Sequence, residues 1–157
     1  MITTLAGIGL CFAVVLTTPA VAPAAPVGGA CETTGTKAKV PTTFYSPESK
    51  TYVPVSETAI PFTQRRTGCV IISFSAEANT NTNTVMFVTA VVDGFSCVPY
   101  DTAFAVYHIE IAVARTMNFL CPNVPGPGNH TASIMARSGG TGGVWLEKRT
   151  TIVLYAK

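Results

Sequence analysis

Leucine is nearly missing from most of this chain: of 157 residues, only Leu120, Leu146 and Leu154 lie beyond position 24. The same stretch holds 15 Val, 7 Ile and 19 Thr. That balance excludes a helical bundle, because β-branched side chains lose rotamer freedom in helices and suit a pleated surface. Charge is scarce as well, at 11% of residues with a formal net charge of +2. No basic stripe exists, so nucleic acid is excluded as a partner. The four cysteines beyond position 24 are spaced 38, 28 and 24 residues apart, which leaves no C-x-x-C pair for a Cys-rich zinc site.

Residues 1–24 contain no Lys, Arg, Asp or Glu and carry a 12-residue apolar run from Leu5 to Leu16. A bilayer span takes roughly 20 residues. The run fits the core of a secretory signal, with small-residue cleavage sites around 20–25 and the favoured cut after Ala24. No Lys or Arg stands near Met1, so an uncleaved anchor is the competing reading. Removal of the signal leaves no segment for stable membrane insertion. It also removes Cys11 and leaves Cys31, Cys69, Cys97 and Cys121. An even count in an exported chain predicts two disulfides. Pairing neighbours, Cys31 with Cys69 and Cys97 with Cys121, would pin the polar N-terminal part and close two loops.

Residues 25–50 are rich in Pro, Gly, Thr and Ser and read as an extended arm with one edge strand around Phe44 and Tyr45. From 51 to 157 the pattern changes to short alternating segments between turns. Val70, Ile72, Phe74 and Ala76 share one face of a strand over 68–77, and residues 79–84 (Asn-Thr repeated) read as a loop. Residues 85–92 are nearly all apolar and predict a central strand buried on both faces. Asp93-Gly94 then predicts a hairpin. Residues 104–121 give one long bent strand or two, 122–129 a Pro- and Gly-rich break, and 130–137 another alternating strand. A Gly-rich turn over 139–143 leads to strands at 144–147 and 149–156. About eight strands without crossover helices predict an all-β, antiparallel β-sandwich, immunoglobulin-like or jelly-roll-like.

From about residue 68 onward the order of motifs resembles a group of uncharacterised exported bacterial β-sandwich proteins. The resemblance rests on Gly68-Cys69-Val70-Ile71-Ile72-Ser73-Phe74-Ser75-Ala76-Glu77-Ala78, on Val92-Asp93-Gly94, and on Pro122-Asn123-Val124-Pro125 followed by Gly128-Asn129-His130-Thr131. It implies export and a sandwich fold, and brings no activity with it.

Candidate chemistry is sparse. His108 and Glu110 share a strand face and with His130 could form a two-His, one-carboxylate metal site, against the plainer reading of a polar strand face and a loop residue. A Ser-His-Asp hydrolase has only Asp93 and Asp101 to choose from, and Asp93 is explained by its turn. Two-carboxylate chemistry would need Glu77 and Glu110 to meet. The basic pairs Arg65-Arg66 and Lys148-Arg149 read as ordinary surface. Trp145, beside the Gly-rich turn, together with Tyr100 and Tyr52, gives a candidate binding surface for a sugar ring or apolar face, against the plainer reading that Trp145 fills the core. The sequence therefore predicts an exported, non-catalytic module that binds a glycan, envelope polymer or protein and needs no cofactor. A small secreted hydrolase using His108 or His130, and a self-associating structural subunit, are the alternatives.

Overall fold

The computed structural model describes residues 31–41, 49–81, 83–106 and 112–157. The leader 1–24, its cleavage site, the strand expected at Phe44 and Tyr45, and both His108 and Glu110 lie outside the described residues. The described residues form ten strands: β1 (Gly35–Lys39), β2 (Val53–Pro54), β3 (Ile60–Gln64), β4 (Gly68–Thr80), β5 (Val85–Val92), β6 (Phe95–Ser96), β7 (Thr102–Val106), β8 (Val113–Val124), β9 (Gly128–Ser138) and β10 (Val144–Tyr155). Among the described residues no helix is long and apolar enough to cross a membrane.

One sheet has the order β1-β10-β4-β8. In the other, β9 and β5 are central. β2 and β3 pair with successive stretches of β9, and β6 and β7 with successive stretches of β5. The ten strands therefore fill eight positions. Among the described residues every pairing is antiparallel, and six of the eight nest in four levels: β5 with β6 and β7, β4 with β8, β2 and β3 with β9, β1 with β10. A long hairpin rolled up on itself produces this nesting, which is the jelly-roll form of the sandwich.

The core lies between the sheets and follows the period of two along each strand. Val70, Ile72, Phe74, Ala76 and Ala78 of β4 face Met86, Val88 and Ala90 of β5, together with Ala132, Ile134 and Ala136 of β9. Ring contacts bridge the layers, Phe74 to Phe104 at 5.3 Å and Phe62 to Tyr155 at 5.0 Å between centroids. Both expected disulfides are formed, Cys31–Cys69 with Cα atoms 5.4 Å apart and Cys97–Cys121 at 4.4 Å. Each loop closure stabilises by about 3–4 kcal/mol in the chain-entropy account.

Several boundaries differ from the sequence reading. β4 continues through Asn79 and Thr80, which pair with Trp145 and Val144. β8 runs on through Pro122 to Val124, so the break shrinks to 125–127. Residues 144–155 form one strand, with an irregularity between Glu147 and Thr150 in place of a gap. The arm contributes β1 to the sheet, so the sandwich begins before residue 51. β5 is central, but the side chains of Val85, Phe87 and Val91 on its outer face are only half-buried.

Candidate binding cleft

Asp93 (φ +50°) and Gly94 (φ +86°) form the two-residue turn between β5 and β6, the left-handed geometry a tight hairpin requires. β5 pairs with β9 so that Val92 opposes Ala132, which carries the turn alongside Thr131 and His130. The Asp93 N–H donates to the Thr131 carbonyl at 3.0 Å, and the Thr131 N–H donates to Asp93 Oδ1 at 2.8 Å. Asp93 Oδ2 lies 2.6 Å from His130 Nδ1. A carboxylate only accepts, so Nδ1 carries the proton. The imidazole is 8% exposed and the carboxylate 41%. Partial burial works against ionisation of Asp93, yet the bonds from His130 and Thr131 prevail and hold its carboxyl below the ordinary range. His130 Nε2 is buried and has no hydrogen-bond partner. The Phe62 ring packs 5.4 Å from the imidazole.

This pair borders a cleft of about 390 Å³ where the β5–β6 turn meets the end of β8. Val92, Phe95, Pro122, Val124 and Pro125 supply apolar walls, Asp93, Ser96 and Asn123 supply the polar groups, and the His130 ring backs Asp93. Among the described residues, Asp93 is the only Asp, Glu, Lys or Arg that lines it. Phe95 stands 78% exposed. The cleft lies within the size range of small-molecule sites and shares their mix of apolar wall and few polar groups.

The residues singled out in the sequence fall in two places. Tyr52 and Tyr100 meet, with ring centroids 5.7 Å apart. The Tyr52 hydroxyl donates to Asp101 Oδ1 at 2.6 Å, and Arg137 grips the same carboxylate through Nε at 3.0 Å and Nη2 at 2.7 and 2.9 Å. The guanidinium lies over Phe87 at 4.0 Å and Tyr52 at 5.5 Å. Burial, then the Asp101 carboxylate, pushes the Tyr52 hydroxyl up. The bond from Tyr52, with Arg137 adding to it, draws Asp101 down. Tyr100 is 57% exposed. Trp145 belongs to the other sheet. It neither joins the tyrosines nor enters the core, because its neighbours Val144 and Leu146 take the inward positions. It lies half-buried in a shallow hollow with Glu77, Asn79, Ala112 and Glu147.

The sequence reading missed the pairing of Asp93 with His130, which are 37 residues apart. The Asp-Gly turn located Asp93, but only the β5–β9 register supplies its partner. Lys148-Arg149 is not a surface pair: Arg149 is 0% exposed beneath Ser56 and Glu57, and Lys148 reaches Glu77 at 2.8 Å. Arg66 is ion-paired with Glu32. Among the described residues no three His, Cys, Asp or Glu side chains cluster to hold a metal.

No protein-family model matches the sequence, and no curated protein matches it. Among solved structures, the VP2 subviral particle of infectious bursal disease virus has a TM-score of 0.51 at 10% identity, covering 79% of this chain and 33% of that one. The structure of the Gt strain of the same virus gives 0.50 at 11% identity, covering 77% and 32%. This chain spans about a third of the length of those proteins. At such identity the likeness shows the β-sandwich fold alone.

Proposed function

We propose that the chain is an exported, non-catalytic binding module of the bacterial envelope or extracellular space, and that its ligand enters the cleft beside the β5–β6 turn. Export rests on the uncharged apolar leader, the resemblance to exported bacterial sandwiches, and two disulfides, which persist in oxidising compartments. The observation that carries binding is the cleft itself, apolar on most sides, rimmed by the exposed Phe95 and holding a single carboxylate. Such a lining suits an apolar group that bears a positive charge, whose ring packs on Phe95 and whose cation approaches Asp93. The burial of His130 Nε2 supports the non-catalytic reading, since a general base must reach the proton it removes.

A titration followed by amide NMR, with tryptamine as the probe and indole-3-acetate as its anionic counterpart, tests this. Tryptamine should shift residues 93–96 and 122–125, and Phe95→Ala should weaken its binding at least about tenfold. Trp145→Ala should leave it unchanged. Equal binding of the anion, or indifference to Phe95→Ala, would overturn the assignment.

The exposed Tyr100, its ring tilted against that of Tyr52, favours a second reading, a surface for a sugar ring. Loss of glycan-array binding in Tyr100→Ala, with tryptamine binding intact, would separate the two.

A further inference from the structure

Among the described residues, four strand positions stand at the outer edges of the two sheets, and three of them are blunted. β1 is five residues long and carries Lys37 and Lys39. The β2 and β3 edge carries Pro54 and Pro61. The β6 and β7 edge is split into pieces of two and five residues. Short length, lysine and proline are the usual means by which a sheet edge is kept from pairing with another chain. β8 has none of them before Pro122: it runs for 12 residues and its only charged side chain is Arg115.

Its backbone is also open. Val98 exchanges two hydrogen bonds with Leu120, N–H to carbonyl at 2.9 and 2.7 Å, so the Leu120 backbone groups point away from β4. The β4–β8 register is unbroken from Leu120 opposite Ile71 to Val113 opposite Ala78. Alternation along an antiparallel strand therefore turns the N–H and C=O of Asn118, Thr116 and Ala114 the same way. Among the described residues, none of these three has a backbone partner on that side.

We infer that β8 pairs antiparallel with β8 of a second copy across residues 114–118, joining two four-stranded sheets into one. A two-fold axis at Thr116 sets Thr116 against itself, Ala114 against Asn118 and Arg115 against Met117. Three residue pairs then exchange both backbone bonds and no like charges face each other. The pairing stops short of Leu120, because Val98 of the same chain already holds the place beside it. The same operation on β1, centred on Lys37, would oppose two ammonium groups, which is unfavourable. The charge pattern thus selects β8.

Sedimentation equilibrium and hydrogen exchange on the purified, disulfide-intact protein test the pairing. The wild type should dimerise, and protection of the Ala114, Thr116 and Asn118 amides should rise with protein concentration. Thr116→Pro removes an N–H that points away from β4, Thr116→Lys opposes two cations, and both lose the 2.8 Å contact of the Thr116 hydroxyl with Ser75, as Thr116→Val does. Each should weaken the dimer at least about tenfold, whereas Thr116→Val should preserve it. Unchanged melting of the monomeric Thr116→Lys protein would show that the fold is intact. A wild type that stays monomeric at submillimolar concentration overturns the inference. So does a dimer insensitive to Thr116→Lys, or amide protection independent of concentration, which would mean that the edge is covered from within the same chain.

Discussion

Asp93 and Asp101 are the only aspartates in the chain. Both adopt left-handed backbone, at φ +50° and +52°, and both bind a residue of β9 from across the sheet. Their partners fall seven positions apart on β9, on opposite faces of the strand. His130 points inward and Arg137 outward, as the alternation of buried Ala132, Ile134 and Ala136 requires. The outcomes differ accordingly. Arg137 has its carboxylate in a fork, a tyrosine hydroxyl sharing that carboxylate, and two rings beneath it, so the outer cluster satisfies itself. The inner pair leaves one imidazole nitrogen without a partner and one carboxylate beside an open cleft. Of two similar turn aspartates, one closes a surface and the other is left with capacity to receive a ligand.

The largest break of this comparison should come from His130→Ala. It removes a buried ring that packs on Phe62 and should cost about 2–4 kcal/mol in urea denaturation. Asp93→Ala leaves a buried imidazole N–H unpaired and should cost about 1–3 kcal/mol. Asp101→Ala acts at an exposed ion pair and should cost about 1 kcal/mol or less. Tyr52→Phe, which deletes one hydroxyl from an otherwise intact cluster, should cost about 0.5 kcal/mol. A double-mutant cycle on Asp93 and His130 should accordingly give a larger coupling energy than one on Asp101 and Arg137.

Acid titration sharpens the same contrast. Both carboxyls are held below their unperturbed 3.8. The stability each contributes is therefore fully present above that value and is lost as the pH falls through the lower folded value. Asp93→Asn and Asp101→Asn should each flatten the acid limb of a stability–pH curve below about pH 4. Added salt should erase more of the Asp101 effect, since its partner Arg137 is 24% exposed whereas His130, the partner of Asp93, is only 8% exposed and harder to screen.

Features written in local periodicity were legible in the sequence. The inward faces of β4 and β9, the central place of β5, the Asp93-Gly94 hairpin and the two disulfides all follow from spacing and turn chemistry. Those that depend on register were not. β1 reads Gly-Thr-Lys-Ala-Lys and buries only its first residue, so no alternation announces it. Arg149 is a sharper case. Between Glu147 opposite Glu77 and Thr150 opposite Ser75, two residues stand across from Ala76. Lys148, at φ +46°, takes up the extra residue, and Arg149 is turned inward. A one-residue slip exchanges faces, and nothing in Lys148-Arg149 itself betrays it. The Asp93–His130 pair was hidden for the same reason, since no local signal places residue 130 beside residue 93.

The outermost turn of the roll has a practical consequence for how the molecule can be held. Because β1 pairs with β10, Thr34 hydrogen-bonds to Tyr155 and Lys157. Residues 65–68 and 124–128 gather at that same end of the sandwich. The cleft walls Val124 and Pro125 are there too, whereas the Gly-rich turn at 139–143 caps the far end beside Asn81 and Thr84. A tether joined at Lys157 would therefore hold the cleft toward the anchoring surface. A fluorophore or immobilising tag placed at 140–142 would leave it free.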